Sequence, residues 1–325
     1  MVGLGAKFPV RKRVEKTLRF FWYPDGRDGF IRQERCRFDE EMHMIDVKFH
    51  KAKDAHDACA LLGRYGEKGR ILAGGTDLMA RINQRVAVPE ALIYVGGCGM
   101  DSVRVEGDDL VIGAVATHSA IIGSNKVREK TPLLNEAVKS IGSPAIRNMG
   151  TIGGNLVNAS PAADGAVALL ALGARVVLRS GRGDRNVGLD RFFLGPGRTI
   201  VESDEVLTEV VVPFQPEGRR WAWRKLGQRK GECCSVASVA LKMGIDDGLC
   251  RDVMISFGAV APTPLVSVKA AGLLEGRRLN ESLLHDIAEA AAEEIRPMDD
   301  TRATAWYRRK AVAALVKSLL SQMMG

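Results

Sequence analysis

The chain has 325 residues, 46% of them apolar and 26% charged, the make-up of an ordinary globular protein of two or three structural units. Its net charge of +8 comes from lysines and arginines spread along the chain, with sparse aromatics and no helix-turn-helix, RNP or finger signature, which argues against nucleic acid as a partner. No apolar run reaches the roughly 18–20 residues that cross a bilayer, and six scattered cysteines without a C-x-x-C or a metal-spaced histidine pair set up neither a disulfide framework nor a metal site within the chain.

The start is basic (Arg11, Lys12, Arg13, Lys16, Arg19), but Leu18–Tyr23 is too short for the apolar core of a secretory signal, so a cytoplasmic location is expected. Residues 1–43, with an aromatic cluster at Phe20–Tyr23, a Pro24-Asp25-Gly26 turn and no sustained period, read as a poorly ordered extension or a start assigned too early. A docking arm ordered only by a partner is the alternative.

From Ile45 the rhythm is α/β. Ile45–Phe49 alternates as a half-buried strand does. Asp54 can cap a helix with Ala55, Ala58, Cys59, Leu61 and Leu62 on one face, stopped at Gly63 or Gly66. A short strand at Arg70–Ala73 runs into Gly74-Gly75, a helix covers Asp77–Arg85 and a strand Ala91–Val95. A meander follows at Ser102–Glu106 and Leu110–Ala114, then helices at Ser119–Ser124, Pro132–Ser140 and Gly165–Leu172, and strands at Arg175–Ser180 and Val206–Val212. After Pro216-Glu217-Gly218 the pattern restarts: strands at Trp221–Leu226, Val236–Met243 and Val253–Ala259, then helices at Glu281–Glu294 and Thr304–Met323, the last with Trp306, Val312, Leu315, Val316, Leu319 and Leu320 along one side. The divisions expected are 1–43, 44–216 and 217–325, and the fold class is α+β.

Two glycine stretches point to chemistry. In Ile71-Leu72-Ala73-Gly74-Gly75-Thr76-Asp77-Leu78 a strand delivers paired glycines, a hydroxyl and a carboxylate to the mouth of a helix. Such a turn aims successive N–H groups at an anion. The alternative is a tight turn in which Thr76 or Asp77 merely caps the helix. Gly150-Thr151-Ile152-Gly153-Gly154-Asn155 offers a second pair, with Asn155 and Asn158 as donors and Asp164 as an acceptor beyond it. Two such loops can embrace a diphosphate. Neither G-x-G-x-x-G nor a Walker A pattern is present, so a dinucleotide would not be held in the Rossmann manner.

These two stretches resemble the flavin-diphosphate loops of the FAD-binding medium subunits of molybdenum hydroxylases, the family that includes the carbon monoxide dehydrogenase medium subunit and the xanthine dehydrogenase FAD domain. Further matches are Phe192-Phe193-Leu194-Gly195-Pro196-Gly197-Arg198-Thr199, Asp204–Leu207, Phe257–Pro264 and Trp306-Tyr307-Arg308. The resemblance runs from about Met44 to the C-terminus. It implies a vanillyl-alcohol-oxidase (PCMH)-type FAD-binding domain of two α/β subdomains, then a smaller α+β domain with a three-stranded sheet and helices. By resemblance FAD binds non-covalently, with its diphosphate and sugars on Ile71–Leu78 and Thr151–Asn155. Ile141 packs near the flavin, Asp164 hydrogen-bonds it, Leu207 touches the ring system and Lys225 approaches it, while Gln228–Cys234 borders its outer face.

The resemblance further implies no catalytic residue and no metal ligand in this chain. A small [2Fe–2S] subunit and a large molybdopterin subunit would carry the other cofactors in a dimer of heterotrimers, and the flavin would pass electrons to NAD⁺, a quinone or oxygen. No cysteine falls between Gly113 and Gly150, which disfavours the branch with a cluster-binding insertion there. Two other readings stand beside this one: a self-sufficient flavoenzyme on the same fold, and an assembly protein that has lost FAD. Outside the loops, His118 is read as a catalytic base or a structural histidine, Asp299-Asp300 as a metal pair or a helix start, and Arg308-Arg309-Lys310 as a phosphate grip or a solvated face.

Overall fold

The computed structural model describes residues 17–18, 47–229 and 232–324. The extension expected over 1–43 therefore lies outside the described residues, as do Ile45 and Asp46, except for Thr17–Leu18, which pair antiparallel with Lys48 and Val47.

The first lobe comprises β1 (Thr17–Leu18), β2 (Val47–Lys51), α1 (Ala55–Tyr65), β3 (Gly69–Leu72), α2 (Leu78–Asn83) and β4 (Ala91–Tyr94), its sheet ordered β1-β2-β4-β3 with β2 and β3 both parallel to β4. Asp54 caps α1 by accepting from the Asp57 amide at 2.8 Å, and Ala55, Ala58, Cys59 and Leu62 form the buried stripe. Gly63 lies inside this helix; Gly66, at φ +52°, ends it, because a glycine takes a left-handed turn without Cβ strain.

The second lobe runs β5 (Val103–Glu106), β6 (Asp109–Gly113), α3 (His118–Gly123), α4 (Asn125–Lys130), α5 (Pro132–Lys139), α6 (Pro144–Met149), α7 (Ile152–Val157), α8 (Asp164–Ala171), β7 (Arg175–Ser180), β8 (Gly183–Gly188), β9 (Phe193–Gly195), β10 (Arg198–Thr199) and β11 (Val206–Pro213). Its main sheet is antiparallel, ordered β5-β6-β11-β7-β8. Local pattern does not announce α4, α6, β8, β9 or β10, and it presents the second glycine stretch as a loop. Instead Gly153 and Gly154 stand in the first turn of α7. A pair of glycines costs helix propensity, and here capping and tertiary contacts override that cost.

The third lobe comprises β12 (Arg220–Gly227), β13 (Ser235–Asp246), β14 (Leu249–Gly258), β15 (Leu265–Val266), α9 (Val268–Leu274), α10 (Glu281–Glu294) and α11 (Ala305–Met324). Its sheet has four strands, ordered β12-β13-β14-β15, and not three. The fourth is only two residues long, between Pro264 and a helix, and carries no alternation to reveal it. On α11 the buried positions are Arg308, Ala311, Val312, Val316, Leu319, Leu320 and Met323. Trp306, expected on that side, stands at the N-terminal edge of α11 and is 67% exposed.

The lobes meet on α8. Every residue of this helix is buried, as expected where a helix is apolar on all sides. It packs against α5 on one side and against β13 and β14 on another. A Cβ on Gly258 would stand 2.6 Å from Val167, so this glycine lets the helix lie directly on the third-lobe sheet. Ser256 Oγ donates to the Val167 carbonyl at 2.7 Å, and the Ala259 amide to the Pro161 carbonyl at 2.7 Å. The first residue of α8 is Asp164, so this packing aims its carboxylate at the seam between the lobes.

Candidate functional site

The first glycine stretch is a turn between β3 and α2. Gly75 takes φ +71°, a conformation open to glycine and strained for other residues. Asp77 precedes α2 but makes no capping bond with its side chain, and Thr76 and Asp77 are both exposed. The capping alternative therefore fails. Among the described residues, no protein acceptor takes the amides of Gly74, Gly75, Thr76, Asp77 or Leu78. Unpaired successive N–H groups at a glycine turn form a concavity suited to an anion.

This turn rests on the second stretch. A Cβ on Gly74 would fall 1.8 Å from the Met149 carbonyl oxygen, so the two backbones are in direct contact. Ser143 and Pro144 start α6, with Ser143 Oγ accepting from the Ile146 amide at 3.3 Å. Thr151 then starts α7, its Oγ1 accepting from the Gly154 amide at 3.1 Å. The amides of Ile152 and Gly153 donate to the carbonyls of Ala116 (3.0 Å) and Ala114 (2.8 Å), and Asn155 to Thr151 (2.9 Å). These amides are thus engaged inside the chain, and Gly153 is a packing glycine whose Cβ would come 2.7 Å from the Ala114 oxygen. What the stretch presents outward is the exposed α-carbon of Gly154 and the side chain of Asn155.

Beside it lies a cleft of about 350 Å³, lined by Ile141, Gly142, Ser143, Ile146, Asn155, Ala162 and Asp164 from the second lobe and by Lys225, Glu232, Cys233 and Cys234 from the third. Its volume is within the range of small-molecule sites. Asp164 is 3% exposed. Its Oδ1 accepts from Ser235 Oγ at 2.6 Å and its Oδ2 from Lys225 Nζ at 2.7 Å, and Lys225 also donates to the Ser140 carbonyl at 2.8 Å. Burial raises the carboxyl's pKa, opposed by the Lys225 ammonium and by the hydrogen bonds. Asn155 Oδ1 is buried on the cleft without a partner, an acceptor left for a bound group.

The structure thus brings Ile141, Asn155, Asp164 and Lys225 to one cleft and sets Gly74 of the Ile71–Leu78 stretch against Met149, the last residue of α6, whose Ile146 lines that cleft. Leu207 stands apart: it is 7% exposed, paired with Leu178 on β11 and absorbed in the second-lobe core. Ser143, Ile146, Ala162 and Ser235 join the site without having been foreseen. Ser143-Pro144 carries a helix-start signal, a hydroxyl cap followed by proline. Nothing local marks Ser235 as the partner of a carboxylate 71 residues away.

The remaining candidates lie off the cleft lining. His118 is 3% exposed, and burial, with Arg147 nearby, lowers its pKa to about 4. A neutral ring under α6 is placed to pack. Arg309 and Lys310 are exposed, as on a solvated face, but Arg308 is buried and donates to the carbonyls of Val236 (2.8 Å) and Ala259 and to Asp300 (2.6 Å). Desolvation would raise the pKa of Asp300, but the amides of Arg302 and Ala303 and the Arg308 guanidinium outweigh it and hold it at about 2. Among the described residues no cluster of three His, Cys, Asp or Glu forms a metal site, and no helix is long and apolar enough to cross a membrane.

The unpaired amides, the backbone contact at Gly74 and the orphan acceptor of Asn155 all fit a dinucleotide whose diphosphate lies on the first turn and whose ring enters the cleft. Comparison with known proteins agrees. Residues 44–215 match the family described as FAD binding domain in molybdopterin dehydrogenase, and residues 222–323 match the CO dehydrogenase flavoprotein C-terminal domain. The chain is 36% identical to the carbon monoxide dehydrogenase medium chain of Afipia carboxidovorans over 83% of its own length and 93% of the relative's. It is 31% identical to the glyceraldehyde dehydrogenase medium chain of Sulfolobus acidocaldarius, over 87% of this chain and 100% of that one. Among solved structures, a carbon monoxide dehydrogenase from Hydrogenophaga pseudoflava superposes with a TM-score of 0.83 at 35% identity, covering 85% of this chain and 96% of the other. Sequence, fold and site therefore agree that this chain belongs to the FAD-binding subunits of the molybdenum hydroxylases, a family of FAD-dependent oxidoreductases.

Proposed function

We propose that this chain is the electron-transfer subunit of a molybdenum hydroxylase complex. It would take electrons from the [2Fe–2S] clusters of a small partner and deliver them to NAD⁺, a quinone or oxygen, while a large molybdopterin subunit acts on the organic substrate. The reading includes a dimer of heterotrimers and a cytoplasmic location. Medium chains of carbon monoxide and glyceraldehyde dehydrogenases among the relatives support it, as do free thiols at the described cysteines.

The observation that carries the reading is the row of unpaired amides from Gly74 to Leu78, seated against the Met149 backbone beside the cleft. FAD, when bound, supplies redox chemistry that exchanges electrons singly or in pairs. The chain's own work is binding and orientation. Gly74–Leu78 would hold the diphosphate through N–H groups, with Ile71, Leu72 and Ala73 delivering the turn. Thr151 shapes the second wall by capping α7, behind which Ile152 and Gly153 pack, and Gly154 and Asn155 face the cofactor. Ile141 and Ile146 give an apolar surface for a ring. Asp164, fixed by Lys225 and Ser235, offers an acceptor at the seam, and Leu207 supports the second lobe from its core.

The test is expression of the full chain alone and with candidate partners, followed by absorption spectroscopy and acid release of the chromophore. A yellow chain that releases FAD, and that oxidises no substrate until the partners are added, is the expected result. Substrate oxidation by the isolated chain would favour a self-sufficient flavoenzyme. A chain that stays colourless with added FAD would overturn the proposal.

A further inference from the structure

The third-lobe wall of the cleft carries an adjacent pair of thiols. Glu232 takes a left-handed φ of +50°, and the chain then places both Cys233 and Cys234 on the cleft lining. The two sulfurs differ in freedom. Cys233 Sγ bonds the Arg229 carbonyl at 3.3 Å and lies against Gly227, where a Cβ would come 2.2 Å from it. Cys234 is a free cysteine and is exposed. Of the other described cysteines, Cys59 and Cys250 are buried and Cys98 is half-buried, and burial pushes all three thiols up in pKa. Reactivity follows thiolate character and access, so Cys234 is the favoured target among them.

We propose that Cys234 is a modification site for low-molecular-weight disulfides, and that its mixed disulfide closes the cofactor cleft. This rests on the reading that the cleft admits the flavin. The Cys234 thiolate attacks one sulfur of the small disulfide; that S–S bond breaks, a new one forms to Cys234, and the other half leaves as a thiolate that takes up the proton lost by Cys234. No other oxidant is required. A neighbouring cysteine would ordinarily resolve such an adduct by closing an intramolecular disulfide. Adjacent residues, however, have Cα atoms about 3.8 Å apart, whereas disulfides span roughly 4.4–6.8 Å. Closure between Cys233 and Cys234 is therefore strained, and Cys233 Sγ is already engaged with the Arg229 carbonyl. The adduct persists until an external thiol removes it. A tripeptide such as glutathione on Cys234 competes for a cleft of about 350 Å³ with any ring that enters it.

The experiment treats the full chain with glutathione disulfide, with and without FAD, maps the adduct by peptide mass spectrometry and titrates FAD into each product. The expected result is an adduct at Cys234, formed at least tenfold more slowly with FAD present, and an FAD Kd raised at least tenfold until dithiothreitol restores it. In the Cys234→Ser chain, glutathione disulfide leaves that variant's own FAD affinity unchanged. An adduct at Cys234 with undiminished FAD binding overturns the proposal, as does preferential modification of another cysteine. Failure of the untreated chain to bind FAD overturns the underlying reading, and this is distinguishable because it appears before any disulfide is added.

Discussion

Substituting Gly74 by alanine tests whether contact between the two glycine stretches sets the cofactor loop. The new Cβ would lie 1.8 Å from the Met149 oxygen, 2.6 Å from its carbonyl carbon and 3.1 Å from the Gly150 nitrogen. All three are backbone atoms, so no side chain can swing away, and relief to ordinary contact requires the backbones to part by more than about 1 Å. Overpacking of this kind costs about 1–3 kcal/mol. The same displacement moves the amides of Gly74–Leu78 away from an anion, and losing one hydrogen bond to a charged group costs about 1.5–3 kcal/mol. The expected result is an FAD Kd raised about 10- to 100-fold, measured by quenching of flavin fluorescence on titration into FAD-free chain, with a lower melting temperature. Gly63→Ala is the control: nothing lies within 4 Å of its Cβ and it sits inside α1, so it should stabilise by up to about 1 kcal/mol and leave FAD binding alone. Unchanged FAD affinity in Gly74→Ala would refute the argument.

Lys225→Met strands the buried Asp164 carboxylate and should cost about 3–5 kcal/mol in urea denaturation; adding Asp164→Asn should recover part of that loss, and additive losses would contradict the pairing. His118 ionises at about 4 when folded against an ordinary 6.5. The unfolded chain therefore binds the proton first, and stability should fall as pH drops from 6.5 to 4, with a penalty of about 3 kcal/mol below that window. In His118→Gln this component of the pH dependence should vanish, and an identical profile in the variant would count against it. Arg308→Lys cannot reach Val236, Ala259 and Asp300 together, so thermal unfolding should show a loss of about 2–4 kcal/mol; a melting curve like the parent's would show those contacts to be dispensable.

Much of the fold was legible because local signals agreed with it. Asp54 and Asn280 cap helices by accepting from amides three residues on, and the paired glycines at residues 74 and 75 marked a turn between strand and helix. Elements without such signals escaped: β15 is too short to alternate, and α7 contains two glycines that propensity rules place outside helices. Trp306 was misplaced because helical spacing names a face but not how far the neighbouring lobe extends over it.

The sequence by itself determined which residue types were available for the site: glycines that admit close backbone approach, a carboxylate at the start of an apolar helix, and a lysine on a strand in another lobe. Their adjacency was decided by tertiary structure alone. Asp164 meets Lys225 and Ser235 because α8, apolar after its first residue, must bury every face, and it does so between α5 and the third-lobe sheet. Local pattern carries the preferences of neighbouring residues along the chain. The partner of a buried charge 61 residues away depends on which surfaces exclude water together, and only packing settles that.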